Sequence, residues 1–263
     1  MPNQFTHPWT SKEIRYLEKN IKKFTYNQMG SVINRSYSSI QSKIRHLPFQ
    51  KKIKKHSVNQ NFFQSWSPEM AYTLGLVAAD GNICHSGRAH TLHLASDDKD
   101  IIEKIKRVMI YEGPIHQKTR DNGKISYSLR ICDQVIFKDL QDLRITERKS
   151  QTLKPSNVPH KFLNHYLRGY FDGDGSVYAT KKSKLTSVWY TASPAMASFL
   201  FRCIYRVCPQ FKGKVYKLPK RNNFYYQTSL GKRDSKLIFR FLYKNATIYM
   251  ERKYRKFLQG IHA

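Results

Sequence analysis

Two ten-residue segments repeat one pattern and leave the chain few ways to fold. Residues 72–81 read Tyr72-Thr73-Leu74-Gly75-Leu76-Val77-Ala78-Ala79-Asp80-Gly81, and residues 166–175 read Tyr166-Leu167-Arg168-Gly169-Tyr170-Phe171-Asp172-Gly173-Asp174-Gly175. Each is a largely apolar stretch with small residues four apart, Gly75 and Ala79 in one, Gly169 and Gly173 in the other, closed by Asp-Gly. Small residues at i and i+4 share a helix face and let two backbones approach closely. The pattern therefore predicts a tightly apposed helix pair with Asp80 and Asp174 side by side at one end. Two neighbouring carboxylates repel unless a proton or a cation lies between them.

Charge says which cation chemistry suits such a pair. The 263 residues include 47 Lys+Arg against 18 Asp+Glu, a formal charge of +29. That surplus favours a polyanionic partner through counterion release. Divalent metal held against a phosphate fits both facts. Hydrophobic residues at 40% can build a core, and aromatics at 13% set the chain apart from a disordered basic tail. There is no long apolar run, lipidation motif, signal core or Arg-rich transit pattern. The expectation is a cytoplasmic protein with no membrane partner; an organelle-encoded origin stays open. Cys84, Cys132, Cys203 and Cys208 form no Cys-x-x-Cys pair, which points to reduced thiols and away from zinc.

Residues 9–47 predict three short helices. Trp9-Thr10-Ser11-Lys12-Glu13 reads as an N-cap with an acid in the first turn, and Ile14, Leu17 and Ile21 follow at helical spacing. A second helix is expected over Tyr26–Ile33 and a third over Ser38–Leu47. Ile40, Ile44 and Leu47 would face inward, leaving Ser38, Ser39, Gln41, Ser42 and Arg45 outward, a set suited to reading a major groove. Residues 48–66 read as a basic linker whose lysines can follow phosphates.

From residue 67 the chain repeats itself. In each half, strand, helix, hairpin and helix follow the Asp-Gly motif; Asn122-Gly123 marks one hairpin and Arg221-Asn222-Asn223 the other. Each half closes on the same tripeptide, Glu147-Arg148-Lys149 and Glu251-Arg252-Lys253. The expected fold class is α+β, with two αββαββα halves related by a pseudo-two-fold axis and preceded by a small three-helix domain. The boundaries are 1–47 for the helical module, 48–66 for the linker, and 67–160 and 161–263 for the two halves.

With both motifs quoted, and with the closing segment from Leu242 to Tyr254, the chain resembles the single-chain LAGLIDADG homing endonucleases over roughly residues 66–258. Residues 9–47 resemble Myb-like or helix-turn-helix modules. The first resemblance implies two sheets forming a saddle over the major groove of double-stranded DNA, and double-strand cleavage leaving short 3′ overhangs. It implies two or more Mg²⁺, with Mn²⁺ as a substitute, on Asp80 and Asp174, the carbonyls of Ala79 and Gly173 completing the shell. It places the family's basic core residue on Lys149, and the internal repeat then pairs Lys149 with Lys253. Ala78 departs from the pattern, standing where the family often has an acid, but that position does not bind metal. One chain with both motifs is expected to act as a monomer.

The chemistry stands without the name. Phosphodiester hydrolysis needs an activated water, in-line geometry and a stabilised leaving oxygen, which Mg²⁺ between two aspartates supplies. A lysine beside the scissile phosphate stabilises developing charge. The Asp-Gly-Asp-Gly run is no calcium loop, since Val177 stands at its sixth position and Ser183 at its twelfth. Phe171, Phe199 and Phe239 are expected in the core, and His85, His90 and His93 at the surface or facing DNA.

Alternation along strands presents one set of side chains to the groove. The first-half candidates are Arg88, His90, Lys118, Arg120, Lys124, Tyr127 and Arg130. Those in the second half are Lys181, Lys184, Trp189, Lys217, Lys220, Arg221, Tyr225 and Gln227. The competing class is a binder without cleavage: an RNA maturase that assists an intron, or a regulator built on a dead nuclease. Two intact acids favour the enzyme.

Overall fold

The computed structural model describes residues 7–21, 23–47, 56–87, 89–179, 185–220 and 223–262. The chain divides into two units, residues 1–55 and residues 56–263.

The first unit holds α1 (Ser11–Asn20), α2 (Tyr26–Ile33) and α3 (Tyr37–Arg45). Thr10 with Glu13, and Thr25 with Gln28, form reciprocal capping boxes, and Ser36 caps α3. Leu17, Ile21, Met29, Ile40 and Ile44 make the core. Asn34 closes α2 in the left-handed region at φ 51°, which lets α3 begin after a short turn. Arg35 then donates to Glu13 at 2.9 Å and to the carbonyls of His7 and Pro8, and its guanidinium lies 4.5 Å from the Trp9 ring centre.

The second unit begins earlier than its sequence suggests. Residues 56–66 are part of it and not a free linker. Phe62 and Phe63 are buried, the Asn59 N–H donates to the Met109 carbonyl at 2.9 Å, and the Glu112 N–H donates to Ser57 at 3.0 Å. The apolar pair at 62–63 outweighs the polar residues around it. The lysines at 51, 52, 54 and 55 lie outside the described residues.

Each half then runs helix, strand, strand, helix, strand, strand, helix. The first is α4 (Pro68–Asp80), β1 (Asn82–Ser86), β2 (Ala89–Ser96), α5 (Lys99–Val108), β3 (His116–Thr119), β4 (Ile125–Cys132) and α6 (Gln134–Asp142). The second is α7 (Leu163–Asp174), β5 (Gly175–Ala179), β6 (Leu185–Thr191), α8 (Pro194–Val207), β7 (Tyr216–Lys220), β8 (Asn223–Leu230) and α9 (Lys232–Tyr243). A further helix, α10 (Glu251–His262), follows and packs Gly260 against Leu185 and Ala179. Both sheets are antiparallel, in the orders β1-β2-β4-β3 and β5-β6-β8-β7.

The registers match as well as the order. Counted from Asp80 and Asp174, the pair His93 and Arg130 corresponds to Val188 and Ser229, and Ala95 and Ser128 correspond to Tyr190 and Gln227. Helices cover one face of each sheet, where Leu92, Leu94, Leu129 and Ile131 in the first half, and Leu185, Trp189 and Leu230 in the second, join one core. The opposite faces are open, as expected of a two-sheet saddle. Among the described residues no helix is long and apolar enough to cross a membrane.

Candidate active site at the helix seam

Helices α4 and α7 pack through their small residues. A Cβ on Gly75 would run into the Tyr166 carbonyl, and one on Gly169 into the Tyr72 carbonyl. Tyr72 and Tyr166 hold the same place in the two motifs, so the contact is reciprocal, as a local two-fold axis requires. One turn further, Gly173 lies against the Ala79 methyl, and a Cβ there would stand 3.2 Å from Asp80 Oδ2. The seam thus carries Asp80 up to the last turn of α7, where Asp174 ends the helix.

The electrostatics follow from that meeting. Asp80 is exposed, yet protein crowds its carboxyl group; that burial, and then the charge of Asp174, raise its pKa to about 6. Asp174 is half-buried and its carboxyl is also raised, chiefly by burial, against the lowering effect of Lys149, Lys253 and the Tyr170 hydroxyl. Among the charges, Lys253 weighs most in favour of ionised Asp80 and Lys149 in favour of ionised Asp174. Each half therefore supports the acid of the other. Both acids sit at helix C-termini, the ends that carry partial negative charge and favour cations.

The two lysines are buried and turned onto backbone. Lys149 Nζ donates to the Gly81 carbonyl. Lys253 Nζ contacts the carbonyls of Phe171 (2.8 Å), Asp172 (2.6 Å), Gly173 (3.3 Å) and Gly175 (2.6 Å). Gly81 and Gly175 each follow the acid of their motif, so the lysines cap equivalent helix ends. Burial lowers both ammonium pKa values, that of Lys253 to about 8. Neither lysine projects freely into the groove, the position its expected role beside a phosphate suggests.

These donors fit a hard cation. Two carboxylates converge and their nearest cations are engaged with backbone, Lys253 with the Gly173 carbonyl among others. Among the described residues no group of three or more His, Cys, Asp and Glu could hold a metal. A two-carboxylate set suits Mg²⁺, which keeps several waters and takes phosphate oxygens, better than a metal needing a full protein cage.

Beneath the acids lies a polar network that sequence reasoning missed. Asp172 is buried and accepts from the Tyr72 hydroxyl at 2.6 Å and the Met250 N–H at 2.8 Å. Arg168 is fully buried and donates to the carbonyls of Leu242 at 2.6 Å and Ile248 at 2.9 Å. These bonds tie α7 to the strap that delivers Lys253. The first half has Leu74 and Ala78 at the two equivalent positions. A charged residue at an otherwise apolar motif position was the available signal.

Register sorts the groove candidates. Lys118, Arg130, Lys220, Tyr225 and Gln227 belong to the open faces, with Gln227 donating to Ser229 at 3.1 Å. Lys124 lies just before β4, and Arg120 is paired with Asp97 at 2.6 Å. Four candidates fall on the other face. Trp189 is 3% exposed and packs on Phe171 with ring centres 4.8 Å apart. Tyr127 packs against the core, His90 meets Phe137 edge-on at 4.9 Å, and Lys217 lies 4.2 Å over the Phe224 ring. Arg88, Lys181, Lys184 and Arg221 lie outside the described residues. In the first unit, Ser38, Ser42 and Arg45 are exposed and Ser39 and Gln41 are half-buried. A cavity of about 490 Å³ beside α3 is lined by Ser38, Ser39 and Ser42 with Trp9, Lys43 and His46.

Residues 161–240 match the model of the LAGLIDADG-like domain. The chain is similar to an uncharacterized protein of Methanocaldococcus jannaschii, MJ0398, with 26% identity over 191 residues, covering 62% of this chain and 66% of that protein. A second protein of that organism, MJ0314, is 27% identical over 120 residues, 44% of each chain. The chain thus spans less than two thirds of either relative's length. Among solved structures, one of mesophilic variants of the homing endonuclease I-DmoI is similar at a TM-score of 0.50 and 13% identity, covering 75% of this chain and 97% of that one. The LAGLIDADG homing endonuclease I-LtrWI bound to its target DNA is similar at a TM-score of 0.46 and 12% identity, covering 77% and 89%. The second half is thus similar to a LAGLIDADG-like domain, and the two-sheet unit shares the fold of I-DmoI.

Proposed function

We propose that this chain is a site-specific DNA endonuclease that hydrolyses both strands of a long duplex target with Mg²⁺ and leaves short 3′ overhangs. The observation that carries the reading is the meeting of Asp80 and Asp174 at the ends of two helices packed backbone to backbone.

Asp80 and Asp174, with the carbonyls of Ala79 and Gly173, would hold the metal, Mn²⁺ serving in place of Mg²⁺. When bound, it supplies a nucleophilic water and neutralises charge on the leaving oxygen. The protein's own part is to fix the two carboxylates before DNA arrives, so that little reorganisation is left for the reaction. Lys253, surrounded by four carbonyls, acts by positioning the end of α7. Lys149 has one described acceptor, Gly81, and keeps further N–H donors to stabilise charge on a phosphate.

Open-face side chains read the duplex. Arg130 can pair with guanine and Gln227 with adenine in the major groove, while Lys118 and Lys220 track phosphates. The three-helix module of residues 1–47 adds a second DNA contact, which raises the effective concentration of the nuclease unit at its target. Both acids lie in one chain, so a monomer suffices.

The test is direct. The protein is incubated with Mg²⁺ and a randomised duplex library, and the new ends are sequenced. Ends clustered on one sequence, with both strands cut a few nucleotides apart and nothing produced in EDTA, are expected. Binding without new ends under any divalent metal would overturn the reading.

A further inference from the structure

The two open faces differ most beside Asp174. There a cavity of about 790 Å³ is lined by Asp174, Lys220, Asn223 and the rings of Tyr190 and Tyr225, with Ser150 and Gln151 of the first half on its other side. Tyr190 and Tyr225 have ring centres 6.1 Å apart and planes inclined at 47°, so they are not closed on each other as a stack. Tyr178, which neighbours Tyr190 on the same face, is 53% exposed. In the first half the residues equivalent to Tyr190 and Tyr225 are Ala95 and Ser126. No ring occupies the corresponding positions beside Asp80.

A paired base shows a groove-binding protein only its edge, because its faces are covered by stacked neighbours. Polar side chains read edges, whereas aromatic rings gain most from a base face. A cluster of rings around a concavity, with a lysine and an amide at its rim, is furnished for a face. We propose that this cavity seats an unpaired nucleotide of the DNA strand lying over Asp174. The base stacks on Tyr190 or Tyr225, Asn223 meets its edge and Lys220 its phosphate. The inference rests on the endonuclease reading in taking DNA as the partner. It adds that the target is opened locally, and in one half only. Extrusion costs least where a base is mispaired or already free.

Full-length protein in EDTA, where nothing is cut, is titrated by fluorescence anisotropy against three labelled probes. These are a fully paired 30-mer duplex, the same duplex with a three-nucleotide mismatched bubble, and single-stranded RNA of the same sequence. The bubble is expected to bind about tenfold more tightly than the paired duplex. Tyr190→Ala and Tyr225→Ala are expected to erase that preference, Tyr190→Phe to keep it, and Ser126→Ala in the first half to leave it unchanged. Equal binding of bubble and duplex by the wild type would overturn the proposal. So would alanine variants that weaken both equally, or RNA bound more tightly than the bubble. Cutting of the randomised library is read separately, so a wild type that cuts yet shows no bubble preference condemns the cavity alone.

Discussion

On its open face the first half sets His93, Arg130 and Ser128 where the second sets Val188, Ser229 and Gln227, and Tyr190 and Tyr225 stand where the first has Ala95 and Ser126. Beneath those faces, Gly75 and Gly169 meet Tyr166 and Tyr72 in the same way from either side. The difference separates two kinds of constraint. At Gly75 and Gly169 an added carbon collides with a partner backbone, so both halves keep the same solution there. On the open faces side chains meet no packed partner, and each half is free to carry its own residues. Symmetry here belongs to packing, and asymmetry to the exposed faces.

The largest effects should be symmetric. Asp80→Asn and Asp174→Asn should each slow cutting at least about a thousandfold, roughly 4 kcal/mol of barrier. DNA affinity in an anisotropy titration should stay within a few-fold. If one variant still cuts both strands at the wild-type rate, the acids are not partners.

The seam comes next. Gly75→Val and Gly169→Val should each cost about 3 kcal/mol or more in urea unfolding, because the added carbons have only backbone to displace. Gly231→Ala, where nothing lies within 4 Å, should cost only about 1 kcal/mol or less, from the loss of a favourable N-cap residue on α9. A tolerated valine at either seam position would show that the helices can part.

Arg168→Leu gives the second half the residue that the first half carries at Leu74. Loss of a fully buried guanidinium bonded to Leu242 and Ile248 should destabilise by about 3 kcal/mol and loosen the strap that carries Lys253. Little change in the unfolding midpoint would mean the strap is held by its aromatic neighbours instead.

The smallest effect concerns the helical unit, where Arg35 and Glu13 form an ion pair near the surface. Arg35 and the Thr10 cap hold the Glu13 carboxyl at about 2, below its ordinary 4.5. A lowered carboxylate contributes stability above the unfolded value and loses it as pH falls from about 4.5 through about 2. Amide resonances of residues 7–47 should therefore lose dispersion across that window. Glu13→Gln should be less stable at neutral pH and nearly insensitive over the same range.

Much of this was legible in the chain. The bounds of α2 follow from the sequence alone, and the seam follows from four small residues. Sheet faces were less legible. Tyr127, His90, Trp189 and Lys217 read as groove-facing from residue type, but period-two alternation turns every side chain over with a one-residue shift, and only the register decides. Strand β1 is weak in sequence because Asn82, Cys84, His85 and Ser86 surround a single apolar Ile83; pairing with β2 makes it a strand. The lysines show a further limit. Their spacing marks them as equivalent, but nothing local says that Lys253 reaches four carbonyls while Lys149 reaches one.

The central claim is that two distant aspartates act as one metal site, and calorimetric titration of Ca²⁺ into the protein bound to an uncut duplex tests it most directly. The account predicts that Asp80→Asn and Asp174→Asn each weaken uptake at least about tenfold, with DNA still bound. Full calcium binding after loss of either acid would contradict it.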